Sequence, residues 1–219
     1  MPYSYSTYDA LNRLVQIKST GANNEELVKS YSYDGFTTIL TNAKGQKKST
    51  TLNALGEVIE VIDNTQAIKQ NNSSKINYEY DALGNLSQTR DSKDNIIEIK
   101  YDQFSNKIYM NDPDLGIWNY TYNILGQLLT QTDAKNQTTY MYYDLLGRLL
   151  RKEQNGGTSS FIYDVAANGK NQIAIEKQEK NALQNYKKEY FYDELSRIKE
   201  VKEYINNKIF STAYIYDEN

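Results

Sequence analysis

Apolar and polar residues alternate with a period of two along much of this chain. Ile76-Asn77-Tyr78-Glu79-Tyr80, Ile97-Glu98-Ile99-Lys100-Tyr101 and Trp118-Asn119-Tyr120-Thr121-Tyr122 show it most clearly. Such alternation predicts strands with one packed face and one wet face. Each of these runs ends in a short cluster of turn residues. The clusters read Tyr80-Asp81-Ala82-Leu83-Gly84-Asn85-Leu86, Tyr101-Asp102-Gln103-Phe104-Ser105-Asn106-Lys107, Tyr122-Asn123-Ile124-Leu125-Gly126-Gln127-Leu128 and Tyr143-Asp144-Leu145-Leu146-Gly147-Arg148-Leu149. Their lead tyrosines stand at 80, 101, 122 and 143, each 21 residues after the last. A fixed period near 20 residues implies a repeat architecture.

Each regular unit predicts two strands and two turns. Between Asn123 and Tyr143, Asn123-Ile124-Leu125-Gly126 is one turn and Gln127 to Thr132 one strand. Asp133-Ala134-Lys135-Asn136 is the second turn, and Gln137 to Tyr143 returns. Short strands with tight turns make an antiparallel meander. Asp or Asn after the tyrosine can accept backbone N–H bonds from the residues ahead. Gly84, Gly126 and Gly147 can take a positive φ without steric cost; Ser105 and Ser196 stand where that glycine is missing. Leu83, Phe104, Leu125 and Leu146 are apolar residues inside turns, and the expectation is that they tuck under the sheet as plugs. In-register units would set Tyr80, Tyr101, Tyr122 and Tyr143 in one column. Tyr78, Ile99, Tyr120 and Met141 would form the next, with stacked cross-strand pairs between like residues.

The pattern extends, less regularly, over the whole chain. Tyr8-Asp9-Ala10-Leu11-Asn12-Arg13-Leu14 opens it, and Tyr190-Phe191-Tyr192-Asp193-Glu194-Leu195-Ser196-Arg197-Ile198 is near its end. The expected organisation is a single array over 1–219, with regular units at about 76–149 and irregular ones at 1–75 and 150–219. Asn64 to Lys75 is a polar insertion, and Asn181 to Asn185 is expected at the tip of a longer hairpin.

Composition supports strands and narrows the chemistry. Of 219 residues, 21 are Tyr, against 5 Phe and 1 Trp; aromatic side chains fit a pleated surface. The mean hydropathy of −0.76 fits a sheet with a wet face. The net charge is −3 with no basic stripe, so nucleic acid is not an expected partner. The lack of His and Cys removes the commonest general base, thiol nucleophiles and zinc-thiolate sites. The first residues lack the basic and apolar regions of a signal peptide. The sequence starts and stops inside a unit, and the expectation is an excised piece, or a short gene product, of a longer repeat array.

These units, as in Tyr140 to Leu149, resemble the YD repeats of the Rhs (rearrangement hotspot) proteins, found also in toxin-complex shell subunits and in teneurins. The resemblance covers essentially the whole chain. It implies an all-β fold of antiparallel hairpin repeats in a curved or spiralling sheet, part of a hollow shell. In bacterial members that shell encloses and helps deliver a C-terminal toxic polypeptide, from a secreted or cell-surface protein. The repeat-defining positions carried over are Tyr80, Asp81, Gly84, Tyr101, Asp102, Tyr122, Gly126, Tyr143, Asp144, Gly147, Tyr192 and Asp193. Bacterial shells end in an autoproteolytic Asp-Pro motif; Asp112-Pro113 lies mid-array and reads instead as part of a turn.

Specific sites are few. Asp91, Asp112 and Asp133 repeat at the same step and could in principle bind calcium; turn-capping carboxylates are the blander and preferred reading. No acidic pair stands out for glycoside hydrolysis, so no catalytic residue, cofactor or metal is expected. Trp118 and Tyr120 could form a sugar-stacking platform on a cell-surface adhesin, the alternative function, although packing on the sheet face is the preferred reading. Expected partners are other YD repeats, an enclosed toxin or a surface glycan, with self-association through exposed strand edges.

Overall fold

The computed structural model describes residues 3–63, 74–180 and 183–217. Most of the polar insertion and the tip residues Asn181 and Ala182 lie outside them. Every element described is a strand, in agreement with the all-β antiparallel expectation. The chain divides into two compact units.

The first unit, Met1–Ser105 with Met110–Asp114, holds a meander. Its strands are β1 (Ser4–Tyr8), β2 (Leu14–Thr20), β3 (Glu26–Asp34), β4 (Thr37–Thr41), β5 (Lys47–Leu52), β6 (Val58–Asp63), β7 (Ser74–Tyr80), β8 (Leu86–Asp91) and β9 (Ile96–Tyr101). Each pairs antiparallel with the next. Strand β10 (Lys107–Asp112) divides its residues between the units. The second unit, Asn106–Tyr109 with Leu115–Asn219, is built the same way. It holds β11 (Gly116–Tyr122), β12 (Leu128–Thr132), β13 (Thr138–Tyr143), β14 (Leu149–Gln154), β15 (Gly157–Tyr163), β16 (Ile173–Lys180), β17 (Leu183–Tyr192), β18 (Ile198–Ile205) and β19 (Lys208–Ala213). These too pair in sequence order.

Because successive strands reverse direction, all the turns that follow a lead tyrosine fall on one edge of each meander. The Asp91–Asn95 and Asp133–Gln137 turns fall on the other. The strands alternate as their sequence does: along β11, Trp118, Tyr120 and Tyr122 are half-buried and Ile117, Asn119 and Thr121 exposed. Burial is shallow. Among the described residues only Thr139, Gly169, Ala174, Tyr192 and Val201 are buried. Strand pairing and shared side-chain faces therefore supply most of the order. The best-packed place is the irregular stretch of the second unit, where the 164–172 loop closes over Tyr192.

Two expectations are corrected. The plug residues do not tuck under the sheet: Leu83, Phe104, Leu125 and Leu146 are 65%, 71%, 77% and 71% exposed. Each stands at the outward tip of its turn, beyond the last strand pair, so no sheet face is there to cover it. The lead tyrosines also do not pair with one another. Tyr80 lies opposite Leu86, Tyr122 opposite Leu128 and Tyr143 opposite Leu149. Antiparallel pairing joins the two arms of one hairpin, so like residues of successive units sit two strands apart.

A feature absent from the sequence reading is a bulge at most of these turns. The register slips between Thr121 and Tyr122, so that Thr121 faces Thr130 while Tyr122 faces Leu128. The same slip precedes Tyr80, Tyr143, Tyr163 and Tyr192. A bulge bends its strand and sharpens the local twist.

Candidate functional site

The recurring constructed element is the turn and the clamp that the next unit places on it. In the Asn123 turn, Asn123 Oδ1 accepts the N–H groups of Leu125 and Gln127, both at 3.0 Å. The Gly126 N–H donates to the Asn123 carbonyl at 3.0 Å, and Gly126 has φ +75°. Asp81 caps Leu83 and Asn85 in the same way, both at 2.9 Å. Asp144 caps Leu146 and Arg148 at 2.9 Å. Asp193 caps Leu195 and Arg197, and Asp102 accepts the Phe104 N–H at 2.9 Å. Gly84 and Gly147 take φ +81° and +82°, and Ser105 takes +64° where a side chain is costly.

The lead tyrosine then reaches back across the sheet. Its hydroxyl donates to the carbonyl of the residue that follows the preceding tyrosine-edge turn. Tyr80 bonds Val58 at 2.8 Å, Tyr122 bonds Lys107 and Tyr143 bonds Leu128 at 2.9 Å, and Tyr192 bonds Ile173 at 2.6 Å. Tyr33, Tyr163 and Tyr216 do the same to Leu14, Leu149 and Ile198. Burial pushes the hydroxyls of Tyr80, Tyr101 and Tyr192 above their ordinary value. A phenol here serves as a donor to backbone, holding one unit to the next, rather than as an acid.

Where the turn ends in arginine, a second clasp is added. Arg148 Nε bonds Asp144 at 2.6 Å and Nη2 bonds Asp164 at 2.8 Å, while its guanidinium lies 4.4 Å from the Tyr163 ring centre. Arg13 over Tyr33 and Arg197 over Tyr216 repeat the stack at 4.3 and 4.4 Å. A planar cation that forks a carboxylate and stacks on a ring is specific to arginine. The sequence reading missed both clamp and stack; the signal was an arginine or polar residue closing one turn with a tyrosine opening the next.

The chain's fold has counterparts among solved structures. One is a crystal structure of TcdB2-TccC3-Cdc42, matched over 97% of this chain and 15% of that chain, at TM-score 0.63 and 12% identity. TcdB2-TccC3 without its hypervariable C-terminal region matches over 99% and 17%, at TM-score 0.55 and 12% identity. The Photorhabdus luminescens Tc holotoxin pore matches over 99% and 17%, at TM-score 0.54 and 12% identity. This chain thus spans under a fifth of the length of the chains it resembles, and the likeness is one of fold. No protein-family model and no curated protein matches the sequence.

The remaining candidate positions have ordinary surroundings. Asp91 Oδ1 caps Lys93 and Asn95, Asp133 Oδ1 caps Lys135 and Gln137, and Asp112 accepts the Asp114 N–H. Among the described residues no three acidic groups gather to hold a metal ion. Trp118 donates its indole N–H to the Leu115 carbonyl at 3.1 Å, and Lys107 lies 4.7 Å from the Tyr120 ring centre. A sugar would have to displace that ammonium from one face of Tyr120. In the second unit a hollow of about 350 Å³ is lined by Val165, Ala174, Phe191 and Tyr192, with Tyr190 beside them. Burial and a 2.6 Å bond to Glu176 push the Tyr190 hydroxyl up to about 12. That poise suits a structural donor.

The capping carboxylates make a pH prediction. Asn85 holds Asp81 below its ordinary 3.8, first through its side-chain amide and then its backbone N–H. Asn95 does the same for Asp91, and Arg13 for Asp9, first through its backbone N–H. A depressed folded-state pKa stabilises the fold above the unfolded value and loses that contribution as pH falls through the folded value. Thermal midpoints should therefore drop below about pH 4 and stay level between about pH 5 and 8, since there is no His to titrate. A marked fall between pH 7 and 5 would contradict this.

Proposed function

We propose that this chain is wall: a non-catalytic segment of an Rhs/YD-repeat shell, part of a secreted or cell-surface bacterial protein that encloses and helps deliver a toxic polypeptide. The observation that carries this is the match over 97% of the chain to TcdB2-TccC3-Cdc42. The local chemistry supports it. Every specialised side chain in the repeat is spent on a turn or on the joint between units. Tyr80, Tyr122, Tyr143 and Tyr192 anchor backbone, and Asp81, Asp144 and Asp193 cap turns. Joints of this kind let a sheet lengthen by adding units whose stability comes from their neighbours. On this reading the chain is one array, and its partners are further repeats and the enclosed polypeptide.

Limited proteolysis of the complete gene product tests the proposal. A segment outside the array should resist cleavage until denaturant opens the sheet. Cleavage of all non-array sequence at the rate of an unfolded chain would overturn it. Glycan binding that is lost on Trp118→Ala would instead support the adhesive alternative.

A further inference from the structure

The corrected plug residues leave one edge of the second unit apolar. At the tips of its tyrosine-led turns stand Ile124, Leu125, Leu145, Leu146, Val165 and Leu195, each at least 66% exposed. The turns on the opposite edge carry Asp133, Lys135, Asn136, Asn155, Asn206 and Asn207, with Leu115 and the small Ala134 as apolar members among the described residues. Isolated exposed leucines are ordinary on protein surfaces; a periodic row along one edge is an interaction surface.

We infer that this apolar turn edge docks against the same edge of a second copy of the chain. Three observations favour that occupant. The first is spacing. Successive tips are two strands apart, about 9.6 Å, and a second edge of the same build presents apolar groups at that same interval. The second is charge. Asp144 and Asp164 share Arg148, and Asp193 is bonded to Arg197, so most charge at the foot of these turns is neutralised inside its own unit. The third is area. Six exposed side chains offering on the order of 100 Å² each give roughly 600 Å² per partner, at the lower limit of specific interfaces. The pairing is two-fold, with each row meeting its own equivalent. It leaves both faces of the sheet clear.

Sedimentation equilibrium of the whole chain, from about 1 to about 200 μM, tests this. A reversible dimer with a micromolar dissociation constant is expected. The double variant Leu125→Ser, Leu146→Ser should weaken dimerisation at least tenfold with an unchanged thermal midpoint. Lys135→Ser on the opposite edge should leave it unaltered. The chain has no cysteine, so a single Leu145→Cys should give disulfide-linked dimers on mild oxidation and Lys135→Cys should not. A monomer throughout the range would overturn the inference. So would a dimer that ignores the tip substitutions, which would place association on open strand edges instead.

Discussion

Tyr192→Ala is expected to lower stability by about 3–5 kcal/mol. Tyr192 is 2% exposed, and it lines the same hollow as buried Ala174. The 164–172 loop is fitted to its ring: a Cβ on Gly169 would stand 2.9 Å from the Tyr192 ring. Truncation would empty that space and release the loop. It would also leave the Ile173 carbonyl without its 2.6 Å donor. Tyr192→Phe separates the two effects. It keeps the packing and should cost about 1 kcal/mol, the usual net worth of one hydrogen bond. Tyr216→Phe removes the equivalent bond at an exposed joint and should change stability by less than about 0.5 kcal/mol. Urea unfolding followed by tyrosine fluorescence measures all three. A loss below about 1 kcal/mol for Tyr192→Ala would mean that this joint is not the anchor its burial indicates.

The second large effect concerns backbone conformation. Gly126→Val should cost about 2 kcal/mol or more, because a β-branched residue is a genuine outlier at φ +75°. The cause is strain rather than collision: a Cβ there would meet only Asn106 Oδ1, at 3.6 Å. Ser105 gives the converse. It already takes φ +64°, so Ser105→Gly should stabilise by roughly 0.5–1 kcal/mol, the relieved strain less the extra unfolded-state freedom of glycine. A change below about 0.5 kcal/mol for Gly126→Val would overturn the turn assignment. Thermal or urea unfolding measures both values.

The turns were legible because their chemistry is local. An Asp or Asn four residues before the closing position, with Gly at the place of positive φ, makes its bonds within one short stretch, and the sequence shows the whole of it. The joint was not legible, because its parts are a repeat apart. Nothing in Tyr143 itself says that its hydroxyl will reach Leu128 rather than a neighbouring tyrosine. The bulges were hidden for a related reason. The extra residue at Leu129 keeps both arms apolar in composition while shifting which residue opposes Tyr122.

By itself, the sequence determined the strand period, the hairpin turns and the 21-residue repeat, since all three follow from alternation and turn chemistry along one stretch of chain. The tertiary structure decided where the apolar turn residues go. Leu125 and Leu146 are as hydrophobic as any core residue, but in a single layer of sheet the tips of the hairpins lie beyond the last strand pair. Burial depends on what stands opposite, and among the described residues Leu125 and Leu146 stay 77% and 71% exposed.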